Sequence, residues 1–391
     1  MGSEIRYPGA MPSPGGTTRP AACPPQAGRV LSAQVDLGRL RQNLAILRRS
    51  ADGRGILAVV KADAYGHGAA PVARTLAAAG VDGFCVATLA EGLELRQEGV
   101  SAPILVFGSS RPEALPMASA HGLELTVVSA AHLQELQRLV PQYPVGLHLK
   151  FDTGMGRCGI QVEEVGPCLD PIRALQPWIR GAMAHFASAD EADPGFAWTQ
   201  RSRFTEVVAQ LRDAGVSLPM LHHGNSAACL RGLLEGDTHV RCGIALYGTV
   251  DLEEGRAAGL RPILELRAEV MRSVVIAAGT PVGYGSTFVA AQPVRLATLA
   301  CGYADGYPRA LGSRARAGFC GATYPVVGQV SMDSLTVALP TAVAIHPGDA
   351  MTLLSSEPED PHSVVNLARL LGTIPYELTC GLHRRVVREY P

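Results

Sequence analysis

The sequence lacks the features that would assign it to several special classes of protein. Its net charge is only −1 at pH 7 with a pI of about 6.8, so nothing in it suggests binding to nucleic acid or to an anionic membrane. Its nine cysteines occur singly, without a C-x-x-C pair or metal-ligand spacing, which predicts no zinc site and favours reduced thiols in the cytoplasm. The longest uncharged interval, residues 273–294, is broken by glycines and prolines, so we expect no transmembrane helix.

The bulk composition is that of a globular enzyme with a small-molecule partner. The chain has 391 residues, of which 47% are hydrophobic and 18% are charged, enough for two domains and a large core. Residues 1–28 are rich in Pro, Gly, Ala and Thr and contain no apolar segment of the signal-peptide type. We therefore predict that they form a disordered tail.

The region from residue 29 to 262 predicts a (β/α)8 TIM barrel. Short apolar runs at 56–61, 83–87, 103–107, 124–128, 145–151, 181–186, 220–223 and 240–246 predict eight strands. Helical patterns that end near glycine or proline lie between them, for example at 69–79, 89–98, 130–140 and 196–214. Eight such units are typical of a TIM barrel, whose active site lies at the carboxyl ends of the strands; a doubly wound sheet is the second possibility.

Residues 263–391 predict a mainly β C-terminal domain. Runs rich in Val, Thr and Ala, separated by Gly and Pro, occur at 264–277, 294–300, 324–330, 334–339 and 350–354. One further helix is expected at 363–371. The fold class is therefore α/β, an N-terminal barrel followed by a β domain.

Lys61 is the main candidate for a catalytic residue. It stands at the end of the apolar run 56–60 and is followed by small residues and two glycines. Such a lysine either extends its amine into water or is held desolvated with a lowered pKa. A desolvated amine is the nucleophile that forms a Schiff base with an aldehyde, including that of pyridoxal phosphate. Taken alone, the solvated interpretation is favoured.

Further polar residues follow the other predicted strands. Lys150 opens a segment, 150–159, that contains G-x-G-x-x-G, but the acidic residue expected after a dinucleotide-binding loop is missing, so the glycines more plausibly present Arg157. His185 alone would be a hydrogen-bonded interior histidine. Asn225 and Ser226 predict either a phosphate site or a simple helix cap.

The eighth predicted strand and the β domain add more candidates. Arg241, Gly243 and Ile244 follow the strand after which barrel phosphate sites form. In the β domain, tyrosines beside glycines or a proline stand out, together with a Met-Asp pair: Tyr284, Tyr303, Tyr376, Met332 and Asp333. For each of these alone, a turn glycine beside a half-buried side chain is the simpler explanation.

Taken together, these segments resemble the bacterial alanine racemases over almost the whole chain from about residue 30. The segments that carry the resemblance are VVKADAYGHG (59–68), KFDTGMGRCG (150–159), HFASAD (185–190), HGNSA (223–227), RCGIALYG (241–248), VGYGSTF (282–288), GYADGYPR (302–309), VSMDS (330–334) and YELTCGLHRRV (376–386). The family pattern has aliphatic residues where this chain has Phe107 and Phe151, which would trim the pocket without changing its chemistry.

The resemblance implies a homodimeric, pyridoxal 5'-phosphate-dependent enzyme that interconverts L- and D-alanine and supplies D-alanine for peptidoglycan. Lys61, as a Schiff base with the cofactor, and Tyr284 from the partner subunit would be the two catalytic bases. The residues implied to bind the cofactor are Lys61, Tyr65, His185, Asn225, Ser226, Arg241, Gly243, Ile244 and Tyr376.

The resemblance also implies roles around the substrate. Arg157 and Met332 would contact alanine, and Lys150, Tyr303 and Asp333 would support the site, Lys150 being a position that the family often carries as a carbamate. No metal is implied.

Other functions remain open at this stage. A non-catalytic pyridoxal phosphate carrier would not need the β domain, and a barrel decarboxylase would place a carboxylate where this chain has Arg241. A dinucleotide-dependent dehydrogenase rests only on residues 154–159. A racemase for serine or for several amino acids is a further possibility.

Overall fold

The structure, a computed structural model, describes residues 30–108 and 111–391. The predicted tail at 1–28 lies outside the described residues. Among the described helices, none is long and apolar enough to cross a membrane.

The larger unit is a parallel β barrel. The chain begins with β1 (Leu31–Val35), which joins the second sheet, and then enters the barrel. The barrel strands and one short side strand, β7, are β2 (Gly55–Val59), β3 (Gly83–Val86), β4 (Ile104–Val106), β5 (Glu124–Val127), β6 (Gly146–Asp152), β7 (Ile160–Gln161), β8 (Ile179–Met183), β9 (Met220–His222) and β10 (His239–Cys242). Their order is β10-β2-β3-β4-β5-β6-β8-β9, and the Thr238 amide donates to the Leu221 carbonyl at 2.8 Å between the end strands.

Helices alternate with these strands on the outside of the barrel. They are Leu37–Ser50, Ala69–Ala78, Leu89–Gln97, Leu115–Ala120, Ala130–Leu139, Val165–Ala174, Gly195–Asp213, Ser226–Arg231 and Glu253–Ala257, with short 3-10 turns at Pro112–Ala114, Val162–Glu164 and Gln176–Trp178. Leu37–Ser50 shows why such segments are helical. Asp36 caps its first turn at 2.8 Å, and Leu40, Leu44 and Leu47, spaced three or four residues apart, are buried against the barrel.

The second unit is a mainly antiparallel sheet that bends around itself, with one parallel pair, β1 and β19. Its strands and those of a small hairpin are β11 (Leu264–Ile276), β12 (Pro281–Val282), β13 (Phe288–Val289), β14 (Val294–Leu299), β15 (Arg316–Phe319), β16 (Ala322–Val327), β17 (Leu335–Leu339), β18 (Ala350–Leu354) and β19 (Val387–Glu389). The 13-residue strand β11 pairs with β18 and β1 along its first half and with β14 along its second half, which closes the sheet. The remaining helices, Val364–Leu371 and Pro375–Cys380, and the 3-10 turns Tyr284–Ser286, Tyr303–Asp305 and Arg309–Leu311 complete this unit.

The predicted fold class is confirmed, with differences at element ends. Each of the eight predicted barrel strands overlaps an observed one, because strands buried on both faces are continuous apolar runs. The prediction that the first barrel strand reaches Lys61 is wrong: β2 ends at Val59, since the backbone turns sharply after Val60. The β domain also contains strands that were not predicted, including β15 and β19.

Candidate active site

A cavity of about 450 Å³ opens where the barrel strands end at their carboxyl sides. Strand ends far apart in the sequence converge there, as expected for a barrel. The predicted site residues that line it are Lys61, Tyr65, Lys150, Arg157, His185, Asn225, Ser226, Arg241, Gly243, Ile244 and Tyr376. Phe107 also contributes to the wall, whereas Phe151 is buried behind it.

Lys61 opens a left-handed turn. Residues 62–65 have φ of +52° to +55°, and the Ala64 amide donates to the Val60 carbonyl at 2.9 Å. Each of these four non-glycine residues costs about 1–2 kcal/mol in this conformation. The turn is held from outside by Glu91, which accepts from the Ala62 amide at 2.7 Å and from the amides at the end of β3. Strain of this kind is typical of functional sites.

The Lys61 amine is electrostatically unusual. Burial lowers its pKa below the ordinary lysine value, and the cation of Arg157 lowers it further. A larger fraction of the amine is therefore neutral near pH 7 than in a solvated lysine. The solvated interpretation of Lys61 is the weaker one, because the side chain lies in the wall of the cavity.

Opposite Lys61, hydroxyls and backbone amides form a small polar pocket. The Ser226 hydroxyl accepts from the Gly243 amide at 2.9 Å, and a Cβ on Gly243 would lie only 2.5 Å from the Tyr65 hydroxyl. Asn225 caps the helix Ser226–Arg231 by accepting from the Ala228 amide at 3.0 Å, the simpler of its two predicted roles. Burial raises the pKa of Tyr65 and raises that of Tyr376 to about 12, so both phenols are neutral.

Arg241 is fully enclosed and surrounded by neutral partners. It donates to the carbonyls of Ala184 and His223 at 2.7 and 3.1 Å, and contacts the Nδ1 atoms of His185 and His222 at 3.0 and 2.9 Å. Burial and the charge of Arg241 hold the pKa of both histidines well below the ordinary value. Within residues 30–108 and 111–391, no carboxylate lies at ion-pair distance from Arg241.

The loop after β6 is organised by a carboxylate. Asp152 accepts from the amides of Gly154, Met155 and Gly156 through one oxygen and from that of Arg157 through the other, at 2.9–3.1 Å. Burial opposes ionisation, but these four donors lower the pKa of Asp152. The loop leads into the short strand β7 rather than a helix, so its G-x-G-x-x-G is not a dinucleotide-binding turn.

Lys150 lies beside this loop. Its amine donates to the Cys158 thiol at 3.1 Å, and burial lowers its pKa. Both lysines that line the cavity are therefore desolvated amines.

Apart from Tyr376, the β-domain candidates lie away from the cavity of their own chain. Tyr284 is 72% exposed, Met332 54% and Tyr303 43%, and none of them lines the cavity. The Tyr303 and Met332 loops are joined by backbone bonds, including one from the Ala304 amide to the Met332 carbonyl at 3.0 Å. Asp333 accepts from Arg385 at 2.7 Å.

Several residues that shape the site were not predicted. Asp152 could have been found, since an Asp before Thr-Gly after a strand is typical of an Asx turn. Asp237 had no local signal: it accepts from the His223 and Gly224 amides at 2.9 Å and pairs with the buried Arg201, all of them distant in sequence. Tyr247, whose hydroxyl donates to the Val59 carbonyl at 2.9 Å, was hidden in the same way.

The comparisons with known proteins agree along most of the described length. Models of the alanine racemase N-terminal and C-terminal domains match residues 35–251 and 263–390. The alanine racemase of Carboxydothermus hydrogenoformans is 36% identical over 368 residues, which cover 93% of this chain and 100% of the relative.

Solved structures show the same relationship. That of the alanine racemase from Streptomyces lavendulae has a TM-score of 0.87 at 30% identity and covers 94% of this chain and 98% of its own. That from Bartonella henselae, which contains covalently bound pyridoxal phosphate, has a TM-score of 0.84 at 29% identity and covers 93% of this chain and 99% of its own. The chain therefore belongs to the alanine racemase family and is an enzyme of alanine racemisation.

Proposed function

We propose that the chain uses pyridoxal 5'-phosphate bound to Lys61 to interconvert L- and D-alanine by a two-base mechanism. Lys61 is one base and Tyr284, from a second copy of the chain, is the other. The observation that carries the proposal is the position of the Lys61 amine in the wall of a cavity of about 450 Å³, where burial and Arg157 lower its pKa. The covalently bound cofactor of the Bartonella henselae relative supports the same assignment.

The donors around the cavity fit this cofactor. Ser226, whose hydroxyl accepts from the Gly243 amide and can still donate its own proton, lines a polar pocket with Gly243 and Ile244 that is suited to a phosphate. Glycine at 243 also leaves room for the Tyr65 hydroxyl. Tyr376 is held as a neutral phenol that can donate a hydrogen bond there. When bound, the cofactor supplies an electron sink for charge developing at the substrate Cα.

Arg241 would favour racemisation over transamination as a side reaction. A guanidinium stays protonated, so it offers hydrogen bonds and positive charge to the cofactor ring without transferring a proton. The ring is then a weaker electron sink than it would be beside a carboxylate. Arg241 would thereby favour return of a proton to the substrate Cα over transamination.

We infer that the second base comes from outside the cavity of the same chain. Inversion at Cα requires bases on both faces of the substrate. The two tyrosines that line the cavity, Tyr65 and Tyr376, both have raised pKa values, so they stay protonated near neutrality and cannot accept the proton. Tyr284 is 72% exposed on its own chain and free to enter a neighbouring site. We therefore propose a homodimer with shared sites, to which Tyr303 and Met332 also contribute.

The remaining residues act on the substrate carboxylate and on the bases. Arg157 is a cation at the cavity wall, presented by the loop that Asp152 holds, and it would bind the carboxylate of alanine. His185, kept neutral beside Arg241, can exchange hydrogen bonds with Tyr284 without adding charge. Lys150 and Asp333 support the positions of Arg157 and Met332. We further propose a cytoplasmic enzyme that supplies D-alanine for peptidoglycan.

The cofactor assignment can be tested with little ambiguity because the chain has only two lysines, Lys61 and Lys150. Borohydride reduction of the cofactor-loaded protein should place the pyridoxyl group on the peptide containing Lys61. The Lys61→Ala variant should lose the visible absorbance of the lysine-bound cofactor. Incubation of the wild type with L-alanine in deuterated water should give deuterated D-alanine. Labelling of Lys150 instead would contradict the proposal.

The shared site can be tested by mixing two inactive variants, Lys61→Ala and Tyr284→Phe. If each site combines Lys61 of one chain with Tyr284 of the other, a randomly mixed dimer has one intact site in half of the molecules. The mixture should then regain about a quarter of the wild-type activity. A mixture as inactive as its components would show that both bases come from one chain.

A further inference from the structure

A line of buried side chains runs through the barrel interior from its amino end to Arg241. Glu124, the first residue of β5, accepts from His148 Nε2 at 2.9 Å. His148 Nδ1 lies 2.8 Å from His222 Nε2, and His222 Nδ1 lies 2.9 Å from an Arg241 nitrogen. His148, His222 and Arg241 are almost wholly buried, and of the four residues only Arg241 lines the cavity.

The two ends of this line fix the direction of every hydrogen bond in it. Arginine can only donate and an ionised carboxylate can only accept. Arg241 therefore donates to His222 Nδ1, His222 donates from Nε2 to His148 Nδ1, and His148 donates from Nε2 to Glu124. Both imidazoles are then neutral with the proton on Nε2. Any other assignment places two N–H groups against each other at one of the three contacts.

The ionisation states agree with this pattern. Burial raises the pKa of Glu124, but the hydrogen bond from His148 and nearby positive charges, including those of Arg180 and Arg96, together leave the pKa of that carboxyl lowered. Burial and Arg241 hold the pKa of His222 well below its ordinary value. No carboxylate within the described ranges lies at ion-pair distance from Arg241. The row of hydrogen bonds that begins at Arg241 ends at the carboxylate of Glu124.

We propose that Glu124 and His148 are positioning residues of the active site, which act through His222 to hold the Arg241 guanidinium in place. The proposal rests on the proposed function, in which Arg241 meets the cofactor ring. The line fixes the His222 tautomer, so that His222 always accepts from Arg241 and never repels it. A residue at the amino end of the barrel thereby sets the orientation of a cation at the carboxyl end.

Two substitutions of Glu124 separate this role from general packing. Glu124→Leu removes the acceptor, whereas Glu124→Gln keeps a carbonyl oxygen that can accept from His148. Thr126→Val is a matched control, because Thr126 is buried, pairs in register with His148 and hydrogen-bonds only toward β4. We expect Glu124→Leu to weaken pyridoxal phosphate binding about tenfold or more. Glu124→Gln and Thr126→Val should stay within about threefold of the wild type.

A spectroscopic readout on the cofactor-free protein tests the tautomers directly. Solid-state 15N spectra of histidine-labelled protein, with the His148 signal identified by its loss in His148→Gln, should show His148 and His222 neutral and protonated at Nε2. Glu124→Gln should keep this pattern, and Glu124→Leu should show a second histidine tautomer.

Three results would overturn the proposal. A proton on Nδ1 of His222 in the wild type would do so, whether or not any variant folds. Glu124→Leu with unchanged cofactor affinity and unchanged histidine tautomers would also overturn it. So would Glu124→Gln if it lost as much cofactor affinity as Glu124→Leu. Failure of the wild type to bind the cofactor would instead contradict the proposed function and leave the tautomer measurement valid.

Discussion

The most demanding prediction concerns Asp152, whose carboxylate holds the loop that presents Arg157. In Asp152→Asn, the side-chain carbonyl can keep the three bonds now made to one oxygen, from the amides of Gly154, Met155 and Gly156. The new amide group must then face the Arg157 N–H, donor against donor, where the carboxylate accepts at 3.0 Å. One bond lost and three weakened by loss of charge should cost about 2 kcal/mol of local stability.

Hydrogen exchange at these amides measures that cost directly. A loss of about 2 kcal/mol corresponds to about thirty-fold faster exchange at residues 154–157, if the loop opens locally. Because Arg157 is carried by the loop, KM for alanine should rise more than kcat falls. Asp193→Asn is the control: Asp193 accepts a single bond, from the Gly195 amide at 2.8 Å, which an asparagine can also accept. Unchanged exchange in Asp152→Asn would refute the reasoning.

The same carboxylate predicts a pH dependence of defined sign. The pKa of Asp152 is lowered in the folded chain, so its stabilising contribution is complete above the unfolded value of about 4 and is lost as pH falls through the folded value. The difference in loop protection between the wild type and Asp152→Asn should therefore be constant near neutrality and narrow only in acid. A difference that narrowed between pH 8 and pH 6 would point to a histidine instead, given the ordinary histidine pKa of about 6.5.

Two further substitutions test the cavity wall and the left-handed turn beside it. Gly243→Ala would place a Cβ 2.5 Å from the Tyr65 hydroxyl. This overpacking costs about 1–3 kcal/mol and should weaken pyridoxal phosphate binding about tenfold. Gly166→Ala is the control, because a Cβ there meets nothing within 4 Å and should leave binding unchanged. Ala62→Gly should raise the free energy of unfolding by about 0.5–1 kcal/mol, because glycine adopts the left-handed conformation without strain. The same change at the helical Ala45 should lower the free energy of unfolding by a similar amount. Urea denaturation that shows both variants stabilised, or both destabilised, would contradict this.

The barrel could be predicted from the sequence because its signals are local. Strands buried on both faces are short apolar runs, and helices between them end at glycine or proline. The turn after Val60 could not be predicted, because four consecutive left-handed residues that are not glycine oppose their own conformational preference. Only contacts from elsewhere, such as the carboxylate of Glu91, hold them there. The pairing of β1 with β11, more than 200 residues away, was equally invisible.

The site shows the same division between local and distant information. Residues that follow strands, such as Lys61 and Ser226, could be placed at the cavity from the fold alone. Residues that act through partners far along the chain, such as Asp237 and Glu124, could not be placed from the sequence. Tyr284 is a third case: its exposure on its own chain acquires a meaning only if a second chain is present.

The charge of the cavity differs from that of the chain as a whole. Four cations line it, Lys61, Lys150, Arg157 and Arg241, against two carboxylates, of which Asp251 is already paired with Arg369. In a chain of net charge −1, this concentrates positive potential where a phosphate and an amino-acid carboxylate are proposed to bind. Burial and the neighbouring arginines also lower the pKa of both lysines. The protein has no other lysine, so lysine amines occur only in this cavity, and the basic side chains with a permanent positive charge elsewhere are arginines.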